Sequence, residues 1–170
     1  ADGLNGGEGS DSYRFSLTDY DDPIITANNR DTIIEGSGPR DGDLDTLDFS
    51  ALPADVAGKA VKLTVDVGDP LATGLQVNLW HDGVDKGALF TSPAQNVERV
   101  LIGKGDNSFS FAATYAWSRD FQIEASTSAG ANAYVDLDFS AVTVDLLFEI
   151  GANGKVTVRE SVPDGNGGVK

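Results

Sequence analysis

Cysteine and methionine are both missing from this 170-residue chain, and histidine occurs once, at His81. Without thiols there is neither a disulfide framework nor a thiolate metal site, so a secreted chain of this kind needs another means of stabilisation. One histidine excludes a His-rich zinc site, and any Ser-His-Asp arrangement would rest on that residue alone. Cationic side chains are scarce as well: 12 Lys and Arg face 27 Asp and Glu, for a formal net charge of −15 at pH 7. Such a field repels polyanions and draws in cations, which removes nucleic acid and anionic lipid from the candidate partners. No apolar run approaches the roughly 18 residues of a membrane span, so no membrane insertion is expected. No recognisable signal peptide opens the chain at Ala1, and the expectation is a processed or excised piece of a larger secreted or cell-surface protein.

What is present points to strands and turns. Twenty glycines punctuate short runs of Val, Leu, Ile, Thr and Phe, and Gly, Asp and Asn clusters bound those runs as turn chemistry does. Period-two alternation is clear over Val61–Val67, where Lys62, Thr64 and Asp66 take one face and the apolar residues the other. The same reading fits residues 75–79, 144–150 and 155–158. Leu52 to Ala60 reads as a loop, because Pro53 and Gly58 oppose a helix. The predicted class is all-β, in one domain spanning residues 1–170.

The chain also repeats itself. Leu47-Asp48-Phe49-Ser50-Ala51-Leu52 matches Leu137-Asp138-Phe139-Ser140-Ala141-Val142, 90 residues later. Gly7-Glu8-Gly9-Ser10-Asp11-Ser12-Tyr13-Arg14-Phe15 matches Gly103-Lys104-Gly105-Asp106-Asn107-Ser108-Phe109-Ser110-Phe111, 96 residues later. Two matches in the same order predict two internal repeats, about 5–95 and 96–170, packed together because a single unit cannot bury its apolar face alone.

Gly6-Gly7-Glu8-Gly9-Ser10-Asp11-Ser12-Tyr13-Arg14 fits the nonapeptide G-G-x-G-x-D-x-U-x at every fixed position. Glycines there allow backbone angles that let carbonyl oxygens point inward, and Asp11 adds a carboxylate suited to a hard cation. Asp41-Gly42-Asp43-Leu44-Asp45-Thr46-Leu47-Asp48-Phe49 is a looser relative, and Asn96–Gly103 has the form of a connector between such loops. These residues resemble the RTX, or repeats-in-toxin, calcium-binding family. The resemblance implies a parallel β-solenoid or β-roll with long insertions, since the loops lie tens of residues apart; the alternative is a β-sandwich that retains calcium loops. It implies calcium as the bound ion, with Gly7, Gly9, Asp11, Asp41, Asp43 and Asp45 as ligands. Asp19, Asp21 and Asp22 form a further acidic turn, either a third site or a solvated charge cluster. An EF-hand is excluded at Asp41, because its sixth position is Thr46 and its twelfth Leu52.

Trp80, Trp117 and Tyr115 are candidate platforms for a surface glycan, set against ordinary core packing. His81 reads as the end of a hairpin, and no nucleophile motif accompanies it. The expectation is therefore a non-enzymatic, calcium-binding structural or adhesive module whose partners are calcium ions and neighbouring repeats. The competing expectations are a calcium-dependent carbohydrate-binding module and the non-catalytic tail of an exported enzyme.

Overall fold

The computed structural model describes residues 3–15, 30–35, 44–56, 58–68, 74–113, 121–125, 133–152 and 156–161. All regular structure among them is β, and no helix occurs there. In chain order the strands are β1 (Gly3–Gly7), β2 (Ser12–Arg14), β3 (Thr32–Glu35), β4 (Thr46–Asp48), β5 (Asp55–Val56), β6 (Lys59–Val67) and β7 (Leu75–His81). There follow β8 (Val84–Ala88), β9 (Arg99–Ile102), β10 (Gly105–Phe111), β11 (Phe121–Ala125), β12 (Ala133–Asp138), β13 (Leu146–Ile150) and β14 (Val156–Glu160).

They form two six-stranded sheets and a small β1–β3 pair. The first sheet runs β12-β10-β6-β7-β8, with β5 attached to β6; the second runs β13-β14-β11-β9-β4-β2. From β9 onward the chain alternates between them, β9 in the second, β10 in the first, β11 in the second and β12 in the first. Each of β11 and β12 pairs in parallel with the strand two before it. Antiparallel hairpins flank this parallel part: β7–β8 extends the first sheet, and β13–β14 ends the second.

Local chemistry explains the hairpins. Asp82 and Gly83, at φ 56° and 72°, join His81 to Val84 in a two-residue turn, the conformation that suits the twist of paired strands. The stretch from Leu52 to Ala60 departs from the expected loop. Gly58 takes φ 75° and donates its N–H to Asp55 Oδ1 at 3.1 Å, a tight return that lets β5 pair with the start of β6.

The two sheets share one core. Inward residues of the second sheet line up from strand to strand: Tyr13 pairs with Leu47, Leu47 with Val100, and Val100 with Ile123. All four are buried. Phe109 and Phe111 of β10 reach Phe121 of β11 across the core, with ring centroids 6.4 and 5.9 Å apart.

The repeated segments reproduce one local corner in opposite sheets. After β4, Ser50 N–H donates to Asp48 Oδ1 at 2.8 Å and Leu52 N–H to the Phe49 carbonyl at 2.9 Å. After β12, Ser140 donates to Asp138 Oδ1 at 2.8 Å and Val142 to the Phe139 carbonyl at 2.9 Å. Hydrogen bonds from the Ser140 N–H and hydroxyl, with one from Ser110, hold the Asp138 carboxyl below its ordinary value. Each corner carries a ring stack, Phe15 on Phe49 at 4.9 Å and Phe111 on Phe139 at 4.4 Å.

Gly103 fits closely against the first corner. A Cβ there would lie 2.6 Å from the Phe49 carbonyl oxygen and press on that of Leu52, both of them backbone. Overpacking of this kind costs about 1–3 kcal/mol. Gly103→Ala should therefore lower the melting temperature by roughly 2–12 °C for a chain of this size, read by circular dichroism. A melting temperature equal to wild type would show that the corner can relax.

Candidate functional site

Three acidic residues stand immediately before three neighbouring parallel strands: Asp11 before β2, Asp45 before β4 and Glu98 before β9. Parallel register places Ser12 beside Thr46 and Thr46 beside Arg99, so the acids occupy successive rungs one step earlier. Strand alternation puts them on the same side as Tyr13, Leu47 and Val100, at the rim of the core. Asp45 and Glu98 are accordingly buried, at 6 % and 8 % exposure.

Each carboxylate reaches one rung further out. Glu98 Oε2 accepts the Asp45 N–H at 3.0 Å, and Asp45 Oδ1 accepts the Asp11 N–H at 2.8 Å. Charge-assisted bonds to backbone N–H groups are about twice as strong as neutral ones, which suits groups removed from water. Ser10 Oγ accepts the Leu44 N–H at 2.8 Å and ties the two loops together beside them.

At the end of this ladder Asp11 turns its carboxylate against the backbone of Gly6, next to the Tyr13 hydroxyl. Its Oδ2 is closed off from solvent and accepts no hydrogen bond among the described residues. A buried carboxylate oxygen without a donor is costly unless a proton, a water or a cation meets it. Gly7 and Gly9, at φ 86° and 108°, turn the chain between the end of β1 and Asp11.

Of the predicted ligands, Asp11 and Asp45 are brought together by their hydrogen bond, and the glycine against the Asp11 carboxylate is Gly6. Asp41, Asp43, Asp19, Asp21 and Asp22 lie outside the described residues, as do Trp117 and Tyr115. Glu98 completes the ladder although the sequence reading placed it in a connector. The signal was available: Asp11-Ser12-Tyr13, Asp45-Thr46-Leu47 and Glu98-Arg99-Val100 each set an acid two residues before a buried apolar one. No convergent group of three or more His, Cys, Asp and Glu side chains is found among the described residues. The acids follow one another along the sheet edge and do not surround a point, so a cation would be held by Asp11 and loop oxygens.

Asn107, the counterpart of Asp11 in the second match, has a different task. It is buried inside β10, where Oδ1 accepts the Leu63 N–H at 3.4 Å and Nδ2 donates to the Gly105 carbonyl at 3.2 Å. An amide supplies both the acceptor and the donor that this position uses, without a buried charge. Trp80 lies on the outer face of β7, its Nε1 donating to Thr64 Oγ1 at 3.2 Å. His81 ends that strand, between Val61 of β6 and Val84 of β8. Scanned against models of known protein families, curated proteins and solved structures, the chain matches none.

Proposed function

We propose that this chain is a calcium-ordered structural or adhesive module of a long secreted or cell-surface repeat protein, folded as an RTX-like parallel β-solenoid with long insertions. The observation that carries the reading is the acid ladder ending in the orphaned Asp11 Oδ2. Neighbouring strands lie about 4.8 Å apart, and two like unit charges at that separation repel by roughly 3 kcal/mol at an effective dielectric of about 20. A divalent cation at Asp11 offsets that repulsion and meets the unused oxygen. Oxygen ligands from a carboxylate and glycine-loop carbonyls suit calcium, which accepts six to eight of them in flexible geometry.

The alternation of β9, β10, β11 and β12 between two sheets supports the solenoid part of the reading. An array that continues is supported by the end of the stack. Strand β12 has one sheet neighbour among the described residues, and Phe148 and Ile150 are exposed on β13, at the end of the second sheet. Stacked repeats cover such surfaces with the next unit.

Calorimetric titration with calcium tests the proposal. At least one ion should bind with a dissociation constant of roughly 0.1–1 mM, the range of extracellular modules. Asp11→Asn should weaken it at least tenfold, or about 1.4 kcal/mol, while Asn107→Ala leaves it in place. Absence of binding to the wild-type chain, or binding by Asp11→Asn equal to wild type, would remove Asp11 from any calcium role.

A further inference from the structure

The outer face of the first sheet holds a second feature, independent of the acid ladder. Asp106 pairs with Tyr134, and Lys62 with Trp80. Because Ser108 pairs with Thr64, Asp106 lies beside Lys62 one pleat earlier. Tyr134, Asp106, Lys62 and Trp80 therefore form one row across β12, β10, β6 and β7. An open cleft of about 350 Å³ is lined by all four, and Gly83 and Gly105 flank it. That volume lies within the range of small-ligand sites, roughly 300–1,000 Å³.

The two aromatics stand at opposite ends of the row, three strand spacings or about 14 Å apart at the backbone. Tyr134 is 64 % exposed, and the Trp80 indole is held in orientation by its bond to Thr64. No ion pair joins Lys62 to Asp106 among the described residues, so both heads remain available between the rings. The adjoining row on the same face is Asp136, Ser108, Thr64 and Asn78, a line of short hydroxyl, amide and carboxylate groups.

We propose that this cleft binds a neutral oligosaccharide, with sugar rings lying on Tyr134 and Trp80 and hydroxyls meeting Lys62, Asp106 and the adjoining polar row. Sugars present apolar C–H faces and polar edges, matching a cleft with aromatic ends and a largely apolar lining that carries the Lys62 and Asp106 heads, with the polar row beside it. Lys62 and Asp106 offset each other between the rings, so the cleft offers no net charge to either kind of ion, and the net charge of −15 opposes an anionic ligand. The fixed indole limits the ordering that binding requires.

The chain has two tryptophans, so a Trp117→Phe background leaves Trp80 as the only indole. In calcium-containing buffer, its emission is followed against cellopentaose, laminaripentaose, maltopentaose and mannopentaose, with choline as a cationic control. At least one pentasaccharide should saturate a spectral shift at millimolar concentrations or below, and choline should not. Tyr134→Ala, at an exposed position that the core does not use, should weaken that binding at least tenfold. Asp106→Ala should weaken it severalfold, with circular dichroism unchanged for both variants. The proposal is overturned if no pentasaccharide perturbs Trp80, if choline alone does so, or if Tyr134→Ala binds as wild type. None of these outcomes bears on calcium at Asp11, and loss of calcium binding in Asp11→Asn leaves the cleft intact.

Discussion

Phe49→Ala should be among the most damaging single truncations in this chain, costing about 3–5 kcal/mol as buried Phe-to-Ala changes do. Phe49 is fully buried and stacks on Phe15 at 4.9 Å with its ring plane tilted by 21°. It also supplies the carbonyl that closes the corner after β4. Truncation removes the stack on Phe15, and the close fit of Gly103 beneath the corner limits how far the backbone can collapse into the void. A drop of roughly 6–20 °C in melting temperature follows for a chain of this length. Phe139→Ala provides the internal comparison. Phe139 occupies the matching corner and stacks on Phe111, but it is only partly buried. Less apolar area returns to water there, so the loss should be distinctly smaller. Equal losses at the two positions would mean that the corners are energetically alike despite their different burial.

Chelation should have about half the effect of Phe49→Ala. Calcium that binds only the folded chain stabilises it by RT ln(1 + [L]/Kd). With dissociation constants of roughly 0.1–1 mM, calcium at about 10 mM contributes some 1.4–2.7 kcal/mol per site. One site, at Asp11, would contribute that much toward the 5–15 kcal/mol typical of a domain. Thermal unfolding in EDTA and in about 10 mM calcium should thus differ by roughly 3–11 °C. Asp11→Ala should shrink that difference more than Asn107→Ala, because Asn107 is engaged within β10. An unchanged wild-type melting temperature between the two buffers would refute the calcium reading.

The sequence made some of this legible and hid the rest, for physical reasons. Strands β6 and β7 could be read because one face of each is buried and the other is not, so Val61 to Val67 and Leu75 to Leu79 alternate visibly. Pairing partners could not be read in this way. Strand β4 has three residues and gains its neighbours from β2 and β9, far away in the chain. The repeated Leu-Asp-Phe-Ser-Ala segment was visible as similarity, but what it encodes is a corner. An Asp side chain capping the N–H two residues on is a local device, equally usable in either sheet, so identity of sequence did not mean identity of sheet. Glu98 escaped attention because the acid-x-apolar triplet that it shares with Asp11 and Asp45 is too short to stand out in a chain with 27 acidic residues. The parallel register is what aligns the three triplets into one line.

That register also bears on how fast the chain can assemble. Hydrogen bonds of the ladder join residues 34 and 53 positions apart, from Asp11 to Asp45 and from Asp45 to Glu98. Closing loops of that length requires entropy to be lost before pairing returns any free energy, and folds dominated by such contacts form on the millisecond-to-second scale or slower. Antiparallel β7–β8 can zip up early from its two-residue turn at Asp82 and Gly83, and β6, a chain neighbour of β7, can join it next. Strand β4 must wait for β9 before it has a neighbour on each side. Until then its edge is open, so the interval between hairpin formation and the arrival of residues 98–102 is when a nascent chain is most exposed to pairing with the wrong partner.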